Sequence, residues 1–400
     1  MSITITFISC GTENVKNSVN EADSTESSIE VLESSDITQE DASIEMTAEE
    51  FSALKVAVIS GASGIEDNTF NEDIYNGIIE YVSRHPASSV TPIKSEYVDN
   101  DEILLALNEI EDEYDVIVCG GVVFNKITQY AQQNPNQKFV LIDAFPIDKN
   151  GNDVELENVY GMQFAEQESG FLAGMAAALE TKTGKVAVVN GIAYPSNINY
   201  QYGFECGVKY INETEGSDVE IVELPTYSGT NSEGLHVGGN YINSFTDTET
   251  AKKIGKLLIN EGCDIIFVAA GGAGMGVFDA VKEAEDVYVI GCDIDQFEQG
   301  IDGDENIVLT CALKNMHQNV EQQLEEVTNG TFQGGNVVLH ADTDSVGYVK
   351  DSERCQLSDT TIEKMDTAYE LLKTGAIVPA SYNNGVRPEN FTTQTTEEMR

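Results

Sequence analysis

Residues 264–293 read DIIFVAAGGAGMGVFDAVKEAEDVYVIGCD, and this stretch decides the fold. Asp264–Ala269 is a short apolar run rich in β-branched and aromatic residues, the pattern of a buried strand. The glycines behind it, Gly271, Gly272, Gly274 and Gly276, form a turn that opens a helical pattern over Val277–Ala284. Val287–Ile290 is a second apolar run. Strand, helix and strand in so short a span predict a βαβ unit, and therefore a parallel sheet.

The same rhythm extends in both directions. Upstream, Lys55–Ser60, Tyr114–Cys119 and Lys138–Ile142 read as strands. Asp67–Ser83, Glu102–Ile110 and Phe124–Asn134 have helical spacing. The pattern then restarts with a helix at Glu166–Glu180, a strand at Lys185–Val189, a helix at Tyr200–Asn212 and a strand at Val219–Leu224. A helix near Glu249–Asn260 leads into the stretch quoted first, and Ser228–Asn243 is a polar, Gly-rich insertion before it. Two runs of one rhythm predict an α/β chain of two doubly wound parallel-sheet lobes over residues 51–383. Lobe 1 is expected at about 54–160 and lobe 2 at about 161–292, each completed by a return segment. Residues 384–400 read as a polar tail.

The chain has 400 residues, enough for two ordinary lobes and extra segments. Its 21 basic and 69 acidic residues give a net charge of −48, which repels phosphate backbones and makes nucleic acid a poor partner. The 7 cysteines never take CxxC spacing, and most stand in apolar runs as small core residues. Cys10 differs: it follows a short apolar stretch, Ile3–Ile8, and precedes an acidic, Ser- and Thr-rich segment reaching about residue 50. That segment is too polar to offset chain entropy and reads as a tether. The expectation is a lipoprotein-signal remnant with lipid on Cys10, although a basic leader is missing.

In open α/β sheets ligands bind beyond the carboxyl ends of the strands. Those ends are Ser60-Gly61, Gly120-Gly121, Asp143, Gly271-Gly272 and Asp293. Glycines let a backbone approach a ligand closely, and strand-end carboxylates accept hydroxyl hydrogen bonds. Gly272, Gly274 and Gly276 with Asp293 imitate a dinucleotide fingerprint, but the spacing is GxGxG rather than GxGxxG. Lys314 is one of few cations in this half of the chain, and its spacing alone suggests an exposed structural lysine. The four histidines, His85, His236, His317 and His340, show no HxxxH or HExxH spacing. GxSxG and GxxxxGK[ST] are absent too, which argues against a catalytic constellation and leaves no cofactor or metal implied.

A series of segments resembles one known family. Gly64–Asn71 resembles its early DDxSFN segment. Further matches follow in order at Lys138–Asp143, Gly170–Gly174, Thr183–Ala187, Gly203–Gly207, Ala270–Gly276, Val289–Gln296, Leu309–Lys314, Phe332–Gly335 and Val346–Tyr348. The family is the basic membrane proteins, purine-nucleoside-binding lipoproteins of ABC transporters. The resemblance implies the type I periplasmic binding protein fold, with two lobes closing over a ligand about a multi-strand hinge. It implies that Phe70 and Phe245 sandwich a base, and that Asp293 and Lys314 hold a ribose beside the Gly271–Gly272 backbone. Asn71 and Asp143 take supporting positions. It implies ABC permease partners and a lipid-anchored place on the outer face of the membrane. One departure bears on the ligand: family members commonly end the first strand with an Asp, where this chain has Ser60-Gly61. The expectation is therefore a non-enzymatic nucleoside receptor whose base is left open. The alternatives are a sensor of the same fold for a nucleobase or sugar, and an NAD-linked enzyme.

Overall fold

The computed structural model describes residues 53–61, 63–94, 107, 110, 114–351 and 353–392. Cys10, the acidic tether and most of the expected helix at Glu102–Ile110 lie outside these residues.

The chain begins with β1 (Lys55–Ser60), α1 (Phe70–Arg84), β2 (Ser89–Lys94), β3 (Val116–Gly120), α2 (Thr128–Gln133), β4 (Lys138–Ile142) and β5 (Val159–Phe164). Next come α3 (Glu166–Glu180), β6 (Lys185–Asn190), α4 (Pro195–Glu215) and β7 (Glu220–Ile221). The polar insertion folds as a small hairpin, β8 (Gly229–Thr230) and β9 (His236–Gly238), followed by β10 (Asn240–Tyr241). Then follow α5 (Thr248–Asn260), β11 (Ile265–Ala269), α6 (Met275–Lys282), β12 (Tyr288–Asp293), β13 (Ile301–Asp302), β14 (Glu305–Asn306) and β15 (Val308–Lys314). The return segments are α7 (Met316–Thr328), β16 (Gly335–Leu339), β17 (Val346–Tyr348) and α8 (Asp359–Lys373).

The first lobe's sheet has the order β16-β5-β4-β3-β1-β2, and every neighbouring pair is parallel. The second has the order β10-β6-β11-β12-β15-β17, with β7 also on β6; only β17 runs antiparallel. In each sheet the strand order reverses next to the first strand, at β1 and at β6, so both lobes carry a switch point on the edge where ligands bind. Central strands such as Val116–Gly120 and Ile265–Ala269 are buried along their whole length, as expected of parallel strands covered on both faces. Each fully buried Val or Ile contributes about 1.5–3 kcal/mol to this core.

The chain passes between the lobes where β5 leads into α3, where β15 leads into α7, and where β16 leads into β17. These crossings form the multi-strand hinge. The first sheet runs to Phe164, past the expected lobe boundary near 160. The expected loose tail also differs, because Phe391 is buried against Phe171, with ring centroids 6.0 Å apart, and Lys209 Nζ donates to its carbonyl at 2.6 Å. Polar composition hid the apolar side chains, Pro388 and Phe391, that are buried in this segment. The described cysteines, from Cys119 to Cys355, are free and buried, as their apolar runs implied.

Candidate functional site

A cavity of about 440 Å3 opens at the facing carboxyl edges of the two sheets. Phe70, Asn71, Asp143, Phe245, Gly271, Asp293 and Lys314 all line it. Gly272 does not. Its missing Cβ would face the carbonyl oxygens of Phe245 and Asp67, 3.5 and 3.7 Å away, so it serves the contact between lobes instead.

Phe70 opens α1, and Phe245 lies in the loop before α5. Each ring rests on a strand-end glycine. A Cβ on Gly120 would stand 3.2 Å from Phe70 Cε1, and one on Gly191 would stand 2.2 Å from Phe245 Cε1. Only glycine leaves room for the second ring. Tyr194 flanks it, with centroids 6.0 Å apart.

Asp143 and Asp293 follow the same local logic in opposite lobes. Both stand at a strand's carboxyl end with left-handed backbone, φ 60° and 68°, a region that Asp tolerates better than most residues. Lys314, the last residue of β15, reaches from the second lobe to Asp143 of the first, with Nζ 2.5 Å from Oδ1. It also meets Glu166 Oε1 at 3.0 Å, and it lies 5.2 Å from the centroids of Phe70 and Phe164. Lys314 is only 1% exposed, which corrects the surface position that spacing alone suggested. The apolar run before it was a cue for a core strand that ends at the cleft.

Burial sets the electrostatics. On its own it would drive the Lys314 ammonium towards neutrality, but Asp143, Glu166 and Asp293 outweigh it and hold the ammonium above its ordinary range. Burial lifts the Asp293 carboxyl to about 6, although Lys314 and the Tyr200 hydroxyl, 2.9 Å away, pull it down. Glu166 is lifted to about 7 by burial, against the opposing pull of Lys314. The site thus offers carboxylate acceptors and one ammonium donor to a hydroxyl-rich group, beside two rings suited to a planar one.

Asp67 is buried and accepts from the amides of Thr69, Asn71 and Glu72, fixing the start of α1. It also holds Asn71 Nδ2 at 2.7 Å, and that amide donates to Ser63 Oγ at 3.2 Å. Asn71 therefore keeps only its Oδ1 for a ligand. Ser60 ends β1 buried, its hydroxyl without a hydrogen-bond partner. Sequence reading missed Glu166, Tyr194 and Tyr200. A helix-start Glu, a tyrosine just before an aromatic-rich helix and another inside it gave no spacing signal that set them apart from packing.

Comparison with known proteins shows the family. Residues 53–381 match the model of the Bmp family, described as "ABC transporter substrate-binding protein PnrA-like". Basic membrane protein A of Borreliella burgdorferi is 30% identical over 302 residues, covering 74% of this chain and 79% of that one. The "ABC transporter nucleoside-binding protein BmpA" of Lactococcus lactis subsp. cremoris is 28% identical, covering 72% and 78%. Among solved structures, an ABC transporter solute-binding protein from Aeropyrum pernix superposes with a TM-score of 0.68 at 23% identity, over 82% of this chain and 93% of that one. That likeness supports the fold alone.

Proposed function

The chain belongs to the Bmp family of ABC transporter substrate-binding proteins, and from that premise we propose that it captures a nucleoside between its lobes and delivers it to a membrane permease. The observation that carries the reading is the lining of one cavity: Phe70 and Phe245 from opposite lobes, beside Asp143, Asp293 and Lys314. Stacked rings suit a base, and carboxylates with an ammonium suit the vicinal hydroxyls of a sugar. The same carboxylates disfavour a phosphate, so nucleosides are expected over nucleotides.

With Ser60-Gly61 at the end of β1, the polar groups beside Phe70 that can read a base are Asn71 Oδ1, Ser63 and the Asp67 carboxylate. Purines stack over more area than pyrimidines and are expected to bind more tightly. Capture and release require opening and closing rather than a bond-making step, so the reading is a receptor and not an enzyme. A thermal-shift screen against nucleosides, nucleobases and free sugars tests it. Stabilisation by at least one nucleoside is expected; a response confined to sugars contradicts the ligand.

The proposal includes a lipid on Cys10 that holds the receptor at the outer face of the cell membrane. Intact-mass spectrometry of the protein from its native membrane checks this, and an unmodified Cys10 thiol would sink the idea.

A further inference from the structure

Glu166 lies outside the cavity, yet it holds the ligand's lysine. It stands in the first turn of α3, directly after the crossing from β5, and is 2% exposed. Its Oε1 meets Lys314 Nζ at 3.0 Å, immediately before the crossing from β15 to α7. Its Oε2 accepts from Asn199 Nδ2 at 3.0 Å, and Asn199 Oδ1 accepts from the Tyr382 amide at 2.8 Å. Two residues on, Glu168 grips the crossing from β16 to β17: Oε2 accepts from the Ala341 amide at 2.7 Å, and Oε1 pairs with His340 Nδ1 at 2.8 Å. The first turn of α3 therefore ties all three crossings together.

An ammonium has three N–H donors. Glu166 accepts from one, and Asp143 Oδ1 stands at ion-pair distance, 2.5 Å away, so at least one donor is left for a ligand oxygen. Without Glu166, the one carboxylate left at ion-pair distance from Lys314 among the described residues would be Asp143, which the ligand also needs. We propose that Glu166 is a positioning residue of the binding site: it fixes Lys314 at the junction of the crossings, so that the sugar end of the ligand and the hinge share one buried ion pair. The proposal rests on the nucleoside reading for its ligand but not for the ion pair itself.

Glu166→Gln tests it, because the shape is kept while the charge is removed and one amide face turns a donor towards Asn199. Affinity for the best nucleoside is expected to fall by about tenfold or more, the scale of a charge-assisted hydrogen bond. Affinity for the matching free nucleobase, which has no sugar, should stay within about twofold, whereas a merely structural role would weaken both alike. In the ligand-free protein, the 15N resonance of the Lys314 ammonium should be protected from exchange and be lost in the variant. Glu166→Gln with Asn199→Asp restores a partner to every amide, including that of Tyr382. It should recover folding but neither the ammonium resonance nor the nucleoside affinity, because residue 166 still carries no charge, and it serves as the test if the single variant folds poorly. An unchanged resonance with unchanged nucleoside affinity overturns the proposal, as does equal weakening of nucleoside and nucleobase. If no nucleoside binds the parent chain, the functional reading fails, and the ammonium resonance alone decides the role of Glu166.

Discussion

Asp293 leaves β12 with φ 68°, so its replacement must respect a left-handed backbone as well as a charge. Alanine would add about 1–2 kcal/mol of backbone strain and leave the Tyr200 hydroxyl without its acceptor. Asparagine tolerates the conformation and keeps an acceptor. Asp293→Asn is therefore expected to weaken nucleoside binding by about tenfold to a hundredfold in calorimetry, with the melting temperature preserved. Acidity should separate stability from binding. Burial raises the carboxyls of Asp293, to about 6, and Glu166, to about 7. A raised carboxyl binds its proton more tightly in the folded chain than in the unfolded one, so these groups add stability as pH falls through the raised values towards ordinary carboxylate values. Ligand capture runs the other way, because only ionised Asp293 accepts two hydroxyls. The ligand-free melting temperature should rise from about pH 8 to about pH 5.5, while nucleoside affinity falls below about pH 7 as Glu166 and then Asp293 take up protons. A melting temperature that drops over that range would contradict the electrostatic account. The strand-end acids were legible in the sequence because ligands bind beyond the carboxyl ends of parallel strands, where these acids stand. Glu166 was not, since only the folded chain brings it to Lys314, 148 residues away.

At the scale of elements, α3 and α4 owe their close approach to reciprocal glycines. A Cβ on Gly170 or Gly174 would lie 2.5 or 2.1 Å from the carbonyl oxygens of Tyr200 and Phe204. On the facing helix, Gly203 and Gly207 would meet the carbonyls of Gln167 and Phe171 at 2.2 and 2.1 Å. Each pair is spaced four residues apart on one helix face, so the helices touch backbone to backbone. Gly174→Ala must push them apart and is expected to cost about 1–3 kcal/mol of stability or more in denaturant unfolding. The two segments Gly170–Gly174 and Gly203–Gly207 stood out in the sequence as family matches, and helix contact is the physical reason for their glycines. The aromatic pair belongs to this scale as well, because each ring is delivered by a helix start or the loop before one. Phe245→Ala should cost about 1–3 kcal/mol of nucleoside affinity, the usual scale for stacking a base. Return elements such as α7 and β16 were not legible individually. Their short apolar patterns have meaning only once a crossing assigns them to a lobe.

Across the whole molecule, the lobes meet at the mouth of the cleft as well as at the hinge. Gln296 Nε2 donates to the Asn68 carbonyl at 3.4 Å, and the Gly272 face abuts Asp67. On the proposed reading these contacts form as the lobes close on a ligand, and the crossings flex to part them. Small-angle scattering should show a smaller radius of gyration with nucleoside than without; equal radii would contradict hinge closure. The two-lobed fold was readable from a βαβ rhythm that runs twice, because parallel strands covered on both faces leave continuous apolar runs. The geometry of closure was not, since it depends on contacts between residues far apart in the chain. The central claim is that this cleft recognises a nucleoside through Phe70, Phe245, Asp293 and Lys314. Isothermal titration calorimetry against purine and pyrimidine nucleosides and free ribose tests it most directly. The account predicts a dissociation constant of about 1 μM or tighter for at least one nucleoside. Binding of ribose with no heat from any nucleoside would contradict it.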